Sequence, residues 1–183
     1  MTAGEAMATA AARLRTAGVP DPARDARVLL AHAAQVDAIR ITLIAPEDIE
    51  PEIVVRYEHL IALRSARVPV SHLIGEREFY GRKFKVSPDV LDPRPETETL
   101  IEAALSEDFT RALDLGVGSG CILVTLLAER LNVTGVGTDL SEDACLQSSV
   151  NVVLNNVADR VEIINTCWFD GLEGRFDLIV SNP

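Results

Sequence analysis

The sequence is poor in aromatic residues, cysteine and histidine, and it contains no long apolar run. Only 4% of its 183 residues are aromatic, with a single Trp, and three cysteines and three histidines are scattered along the chain. The cysteines show no paired spacing, so neither a disulfide framework nor a zinc site is indicated, and we expect no bound metal. No apolar run approaches the roughly 20 residues needed to cross a bilayer, so we expect no membrane association.

Basic side chains are also scarce. The chain has 17 Lys and Arg against 28 Asp and Glu, a formal net charge of −11. Because nucleic acid backbones are bound through many Lys and Arg contacts, we expect no direct nucleic acid binding. The one basic cluster, within residues 77–85, is either a solvated hairpin face or a patch for a macromolecular partner. The alanine-rich start contains Glu5 and has no basic n-region, which argues against a signal peptide and favours a cytoplasmic protein.

The most informative stretch is Arg111–Gly120, which reads Arg-Ala-Leu-Asp-Leu-Gly-Val-Gly-Ser-Gly. A short apolar run delivers Asp114 and then three glycines at alternate positions, directly before an apolar helical pattern. This arrangement predicts a strand, a tight turn and a helix start. Glycine permits positive φ and lets a ligand approach the backbone, and the helix N-terminus offers unpaired N–H groups.

The glycine spacing discriminates between cofactors. A dinucleotide fingerprint needs a glycine three residues after Gly118, where this chain has Cys121, and no Gly-Lys-Ser/Thr follows for a triphosphate loop. The remaining pattern, Asp-x-Gly-x-Gly-x-Gly, resembles the first motif of S-adenosylmethionine-dependent methyltransferases with a doubly wound sheet. The alternative is an ordinary glycine-rich turn between a strand and a helix.

Helical spacing of apolar residues predicts a small N-terminal bundle over residues 1–69. We expect a first helix to about Ala17, a second with Asp21 as N-cap, a short third through Ile41 and Ile44, and a fourth that ends before Pro69. No site chemistry stands out in this part. As a unit, it is interpreted as an appended recognition module.

Short β-prone pieces follow over residues 70–92. Glu78–Tyr80 and Lys83–Val86, separated by Gly81-Arg82, predict a β-hairpin. A proline-rich stretch and a helix over Glu96–Leu105 then lead to the Asp114 strand.

Strands and helices alternate in the C-terminal part, which predicts an α/β fold with parallel strands. Further strands are expected over Val133–Thr138, Val161–Ile164 and Phe176–Val180. In such sheets the ligand lies beyond the carboxyl ends of the strands. Four chemically distinctive residues fall at or just past the four strand ends: Asp114, Asp139, Trp168 and Asn182.

Each of these residues has a chemical interpretation. Asp139 is suited to accept hydrogen bonds from ribose hydroxyls, as carboxylates do in dinucleotide sites. Asp114 shapes the glycine loop or approaches a methionine amino group. Trp168 stacks on an adenine or packs within its loop. Asn182 and Pro183 offer a side-chain and a backbone carbonyl, which together orient an NH₂ group and so aid a poorly nucleophilic amide nitrogen.

At this point the chain resembles the protein-(glutamine-N5) methyltransferases that modify class 1 peptide chain release factors in bacteria. The matching segments include Pro-Val-Ser-His-Leu-Ile-Gly from Pro69, Pro-Arg-Pro-Glu-Thr-Glu from Pro93, the glycine motif and Phe176–Pro183. The Pro-Arg-Pro-Glu-Thr-Glu segment is the most diagnostic, because general methyltransferases lack it. Asp92 and Val117 depart from the usual family pattern.

The resemblance implies a Rossmann-like, doubly wound sheet, of which the first four strands are present, and a release factor as protein partner. It implies an N-terminal bundle over 1–69 that docks this partner, a hairpin linker over 70–92 and the start of the methyltransferase domain over 93–183. It also implies S-adenosylmethionine as cofactor, held by Asp114, Gly116, Val117, Gly118, Ser119, Gly120, Asp139, Trp168 and Asn182. The glutamine of a Gly-Gly-Gln motif would be bound by Arg94, Thr97, Asn182 and Pro183, with Asn182 and Pro183 catalytic.

The family motif continues as Asn-Pro-Pro-Tyr with three more strands, which this sequence does not contain. We therefore expect a truncated form with little or no activity alone. Two other interpretations stay open: a methyltransferase for exocyclic amines of nucleic acids, such as N6 of adenine, and a noncatalytic interaction module.

Overall fold

The computed structural model describes residues 1–182, and the chain divides into two compact units, Met1–Ile74 and the part that starts at Gly75. The first unit is entirely helical. Its helices are α1 (Ala3–Thr16), α2 (Pro22–Ala34), a 3₁₀ turn (Arg40–Thr42), α3 (Pro51–Ser65) and α4 (Val70–Ile74).

Apolar side chains at helical spacing hold the first unit together. Leu14 of α1, Leu29 of α2 and Ile61 of α3 are completely buried in one shared core. The start of α1 is fixed by a capping box, in which the Thr2 hydroxyl accepts from the Glu5 N–H and the Glu5 carboxylate accepts from the Thr2 N–H. These contacts account for the helical bundle that the sequence predicts.

Two local expectations in this unit are wrong. The expected third helix through Ile41 and Ile44 is only a 3₁₀ turn, although Asp37 accepts a hydrogen bond from the Ile39 N–H at 2.8 Å, as an N-cap residue does. The residues that follow this turn leave the helical path, because the carbonyls of Ala45 and Glu47 accept from the N–H groups of Gly4 and Ala3 at the start of α1. The β-prone region after Pro69 begins instead with the short helix α4, in which the Leu73 N–H donates to the Pro69 carbonyl at 3.2 Å.

The second unit opens with the predicted hairpin, displaced by one to two residues. Its strands are β1 (Glu76–Phe79) and β2 (Arg82–Lys85). The turn residues are Tyr80 and Gly81, with φ of 49° and 70°, whereas Gly81-Arg82 is the expected turn. Two successive positive φ angles match the right-handed twist of a hairpin, so the turn falls where the glycine is its second residue.

Four parallel strands form the main sheet in the order β5-β4-β3-β6. The chain therefore adds strands on one side of β3 and then returns to its other side, which creates a switch point beside β3. This α/β arrangement confirms the predicted fold class. The elements are α5 (Thr97–Leu105), β3 (Arg111–Leu115), α6 (Cys121–Glu129), β4 (Thr134–Asp139), α7 (Glu142–Leu154), β5 (Val161–Asn165) and β6 (Leu178–Ser181).

The core of the second unit lies between the sheet and its helices. Residues 121–127 of α6 are all buried, as expected for a helix that is apolar on nearly every side. Strand β4 makes room for this helix through two glycines: a Cβ at Gly135 would lie 2.6 Å from Leu123 Cδ1, and one at Gly137 would lie 2.7 Å from Val117 Cγ2. The glycines that weaken β4 as a strand thus permit close helix packing.

No helix among residues 1–182 combines the length and the apolar character that a membrane span needs.

Candidate functional site

The glycine loop between β3 and α6 is held by hydrogen bonds from its own backbone. The N–H groups of Gly116 and Val117 both donate to the Thr138 carbonyl at 2.8 Å, and the Gly120 N–H donates to the Val117 carbonyl at 2.8 Å. Gly116, Gly118 and Gly120 have φ of 74°, 53° and 78°, which explains the three alternate glycines. The predicted strand, turn and helix start is confirmed.

Asp139, the last residue of β4, connects that strand to the glycine loop. Its Oδ2 accepts from the Gly118 N–H at 2.9 Å, and its Oδ1 accepts from the Ser141 N–H at 2.9 Å. The side chain remains partly exposed. Because each carboxylate oxygen has two lone pairs, both oxygens keep acceptor capacity for a ligand.

Asn182 follows β6 and contacts the first residue of α5. Its side-chain Nδ2 donates to the hydroxyl of Thr97 at 3.0 Å, and Thr97 is only 6% exposed. In this orientation Asn182 Oδ1 has no hydrogen-bond donor within residues 1–182 and can accept from a ligand. Pro183, which was predicted to act beside Asn182, lies outside the described residues.

A cavity of about 480 Å³ lies at the carboxyl ends of the strands, where the α/β topology predicts a ligand. It brings together residues from the proline-rich stretch, the glycine loop, β4 and the end of β6. The predicted site residues that line it are Arg94, Thr97, Gly116, Val117, Gly118, Ser119, Asp139 and Asn182. Three others, Asp114, Gly120 and Trp168, are not part of this lining.

Asp114 is completely buried within the second unit rather than exposed to the cavity. Neither carboxylate oxygen has a hydrogen-bond partner among the described residues. Burial raises the pKa of Asp114 from 3.8 to about 7, and the negative charge of Asp139 raises this pKa further. The nearby Leu123 N–H lowers the pKa in part, although it does not have the geometry of a hydrogen bond. The side chain is therefore buried near the start of α6 and the end of β4, and a role in shaping the glycine loop stays a prediction.

Trp168 lies in the loop after β5 and is 56% exposed. Its backbone has φ of 51°, an uncommon conformation for a bulky residue, and its carbonyl accepts from the Thr138 hydroxyl at 3.3 Å. The backbone of Trp168 is thus held near the end of β4, and the residue does not line the cavity. A role in stacking stays a prediction.

Two acidic residues that the sequence motifs do not predict, Asp89 and Asp92, also line the cavity. Asp89 and Asp92 line it together with Asp139, against Arg94 as the one lining cation among the described residues. Asp92 also forms an ion pair with Arg77, with 3.6 Å between Oδ2 and Nη1. Their position directly before the Pro-Arg-Pro-Glu-Thr-Glu segment is the feature from which their place at the cavity could be predicted.

The chain belongs to the methyltransferase small domain family, whose model matches residues 87–183, more than half of the sequence. Residues 5–75 match a second model, the PrmC N-terminal domain. The boundary between the two matches falls close to that between the two compact units.

Curated relatives agree with this assignment. The chain is 51% identical over 183 residues to a release factor glutamine methyltransferase of Cereibacter sphaeroides, covering 100% of this chain and 66% of that protein. It is 36% identical to a protein of the same name from Agrobacterium fabrum, covering 93% and 62%. The chain thus spans about three-fifths to two-thirds of the length of these relatives.

Among solved structures, a S-adenosylmethionine-dependent methyltransferase from Thiobacillus denitrificans in complex with S-adenosyl-L-homocysteine is 31% identical, with a TM-score of 0.41. The similarity covers 48% of this chain and 36% of that one.

Proposed function

We propose that this protein acts as a S-adenosylmethionine-dependent methyltransferase on the side-chain amide nitrogen of a glutamine in class 1 peptide chain release factors. The names of its curated relatives and the match of residues 5–75 to the PrmC N-terminal domain support this substrate. Release factors act in the cytoplasm, which is where we place the protein. The observation that carries the proposal is that the Asn182 carboxamide and the glycine loop line one cavity.

The residues that line the cavity fit the proposed cofactor. A volume of about 480 Å³ is within the range of roughly 300–1,000 Å³ typical of small-molecule sites. Besides Asp92, whose charge is balanced by Arg77, the lining contains the carboxylates of Asp89 and Asp139 against the guanidinium of Arg94, which suits a sulfonium cation. The absence of a Cβ at Gly116 and Gly118 leaves backbone accessible to a ligand.

When bound, S-adenosylmethionine supplies an electrophilic methyl group on sulfur. The chain would hold it through the glycine loop, Gly116–Gly120, and through Asp139, which retains acceptor capacity for ribose hydroxyls. Asp114 would act by shaping this loop. Trp168 is proposed to contact the adenine.

The chemistry that the protein must add is orientation of the amide nitrogen. An amide nitrogen is a poor nucleophile because its lone pair is delocalised into the carbonyl. Asn182 Oδ1, oriented by the Thr97 contact, would accept one substrate N–H, and the Pro183 carbonyl is proposed to accept the other. Such fixed orientation would lower the barrier to methyl transfer, since effective molarities reach roughly 10⁵ M, and the proton displaced from the nitrogen would pass to solvent.

We further propose that residues 1–69 dock the release factor, that residues 70–92 link them to the catalytic part, and that Arg94 and Thr97 contact the substrate side of the cavity. Arg94 is exposed at the cavity rim, where a guanidinium can meet backbone carbonyls of an incoming loop.

The direct test is transfer of a tritiated methyl group from S-adenosylmethionine to a purified release factor, measured with the full-length protein. We expect labelling that is lost when the glutamine of the Gly-Gly-Gln motif is replaced and when Asn182 is changed to Ala. Ribosomal RNA and DNA are assayed in parallel. Labelling of nucleic acid alone would instead support a methyltransferase for exocyclic amines.

A second measurement addresses the noncatalytic alternative. Calorimetry with S-adenosyl-L-homocysteine should show saturable binding by the unchanged protein. Absence of binding, together with absence of transfer, would contradict the proposal and favour an interaction module.

A further inference from the structure

Asn151 of α7 lies outside the cavity and belongs to no motif, yet it makes three hydrogen bonds while completely buried. Its Nδ2 donates to the Ser119 carbonyl of the glycine loop at 2.8 Å and to the Lys85 carbonyl of β2 at 2.9 Å. Its Oδ1 accepts from the Lys85 N–H at 2.6 Å. One side chain thus joins three separate segments: α7, β2 and the loop.

The three partners fix the orientation of this carboxamide. The Lys85 N–H requires the oxygen, and the two carbonyls require the nitrogen, so the flipped amide would lose all three bonds. The paired bonds to Lys85 resemble those of a neighbouring strand. The remaining N–H is thereby aimed at Ser119.

The surrounding contacts place α7 directly against the loop. Ser148, on the same helix face as Asn151, is completely buried, and its Cβ would lie 3.1 Å from a Cβ added at Gly120. The small serine permits the close approach, and Asn151 supplies the polar contact. The loop is therefore supported from β4 by Thr138 and Asp139 and from α7 by Asn151.

We propose that Asn151 is a positioning residue for the glycine loop, which holds the loop in its ligand-binding geometry by anchoring the Ser119 carbonyl to β2. This role rests on the proposed function in so far as the ligand is S-adenosylmethionine. The anchoring itself does not depend on the ligand.

Asn155, the C-cap residue that directly follows α7, provides a matched control. Its Nδ2 donates to the Lys83 carbonyl of the same strand at 3.1 Å, but it makes no hydrogen bond to the glycine loop among the described residues. Asn155→Ala therefore weakens the attachment of α7 to β2 and leaves the Ser119 contact intact.

The experiment compares Asn151→Ala and Asn155→Ala by hydrogen exchange of the backbone amides of residues 116–120 and by calorimetry with S-adenosyl-L-homocysteine. With the amides of β3 as internal reference, the loop amides of Asn151→Ala should exchange about tenfold faster than those of the unchanged protein. The reason is that the loop opens more easily once the hydrogen bond from Asn151 is lost. Its affinity should fall about tenfold. Asn155→Ala should stay within about twofold of the unchanged protein in both measurements.

Unchanged loop exchange and affinity in Asn151→Ala would overturn the proposal. Equal effects of Asn155→Ala and Asn151→Ala would also overturn it, because they would show that only the general packing of α7 against β2 matters. If Asn151→Ala does not fold, Asn151→Asp replaces it, because this variant keeps the shape and the bond from the Lys85 N–H. If the unchanged protein fails to bind S-adenosyl-L-homocysteine, the proposed function fails, and the exchange result still decides the role of Asn151.

Discussion

At the scale of single residues, the candidate site depends on side chains whose orientation is set by distant partners. Thr97 and Asn182 are separated by 85 positions in sequence and meet through one hydrogen bond. The sequence motifs place both residues in the substrate site, but they do not predict this contact, because it depends on how α5 packs beside the end of β6. Without this hydrogen bond the Asn182 carboxamide could rotate, and it would present its NH₂ group and its carbonyl oxygen equally to the substrate.

Thr97→Val should therefore impair catalysis more than cofactor binding. It removes the hydroxyl that accepts from Asn182 Nδ2 while conserving shape. In the full-length protein we expect kcat to fall about tenfold with KM for S-adenosylmethionine within about twofold, since a lost hydrogen bond contributes on the order of 1 kcal/mol to orientation. Thr97→Ser restores the hydroxyl and should recover most of the rate. An unchanged kcat in Thr97→Val, measured by methyl transfer, would exclude this role.

Asp114 should make stability fall as the pH rises. Because burial raises its pKa from 3.8 to about 7, the folded protein retains a proton between these values that the unfolded chain releases. At about 1.4 kcal/mol per pKa unit, this carboxyl should cost about 2 to 3 kcal/mol of unfolding free energy between pH 5 and pH 8. Asp114→Asn cannot ionise and should lack this component.

Urea unfolding of both proteins at pH 5, 6, 7 and 8 measures the difference. Parallel pH dependence in Asp114→Asn and the unchanged protein would show that Asp114 does not carry the effect.

At the scale of elements, the strands and helices are predictable where apolar periodicity and turn residues agree. The glycine motif gives β3 and α6, and Ser141 caps α7 by accepting from the Ala144 N–H at 3.3 Å. Gly135 and Gly137 make β4 uncertain from sequence alone, since their benefit depends on how closely α6 approaches. The helix α4 is missed because five residues are too few to show a period.

Two matched substitutions in β4 separate packing from loop geometry. A Cβ at Gly135 would approach Leu123 and Leu127, whereas one at Gly137 would approach Val117 in the glycine loop and Ile163. Both Gly→Ala variants should lose about 1 to 3 kcal/mol of unfolding free energy through overpacking. Only Gly137→Ala should also lower affinity for S-adenosyl-L-homocysteine, by calorimetry. Equal affinity losses in the two variants would contradict this division.

In the helical unit, a buried ion pair joins α2 to α3. Arg64 Nε donates to Asp25 Oδ2 at 2.7 Å, with side-chain exposures of 15% and 9%. Asp25→Ala should destabilise the unit by about 3 kcal/mol, because it leaves a guanidinium without its buried counterion. The exposed pair of Arg13 with Glu58 is the control, and Glu58→Ala should cost less than about 1 kcal/mol. Denaturant unfolding followed by circular dichroism compares them, and equal losses would refute the distinction.

At the scale of the whole molecule, alternation of strands and helices is enough to predict the parallel sheet and the edge at which a ligand binds. The sequence also indicates the glycine loop, Asp139 and Asn182 in the lining of the cavity, because glycines and strand-end polar residues have recognisable spacing. It does not indicate Asn151 or Ser148, whose importance comes from the meeting of α7, β2 and the glycine loop. Nor does it show that Asp114 is completely buried, since burial is a property of the packed unit.

The acidic residues around the cavity also bear on turnover. Loss of a methyl group converts a positively charged sulfur into a neutral thioether, so in the proposed function Asp89 and Asp139 would attract the donor more strongly than its by-product. Added salt screens such attraction over a Debye length of about 10 Å at 0.1 M. The ratio of the affinity for the methyl donor to the affinity for the demethylated by-product should therefore decrease as ionic strength increases. By-product inhibition should become more severe in concentrated salt.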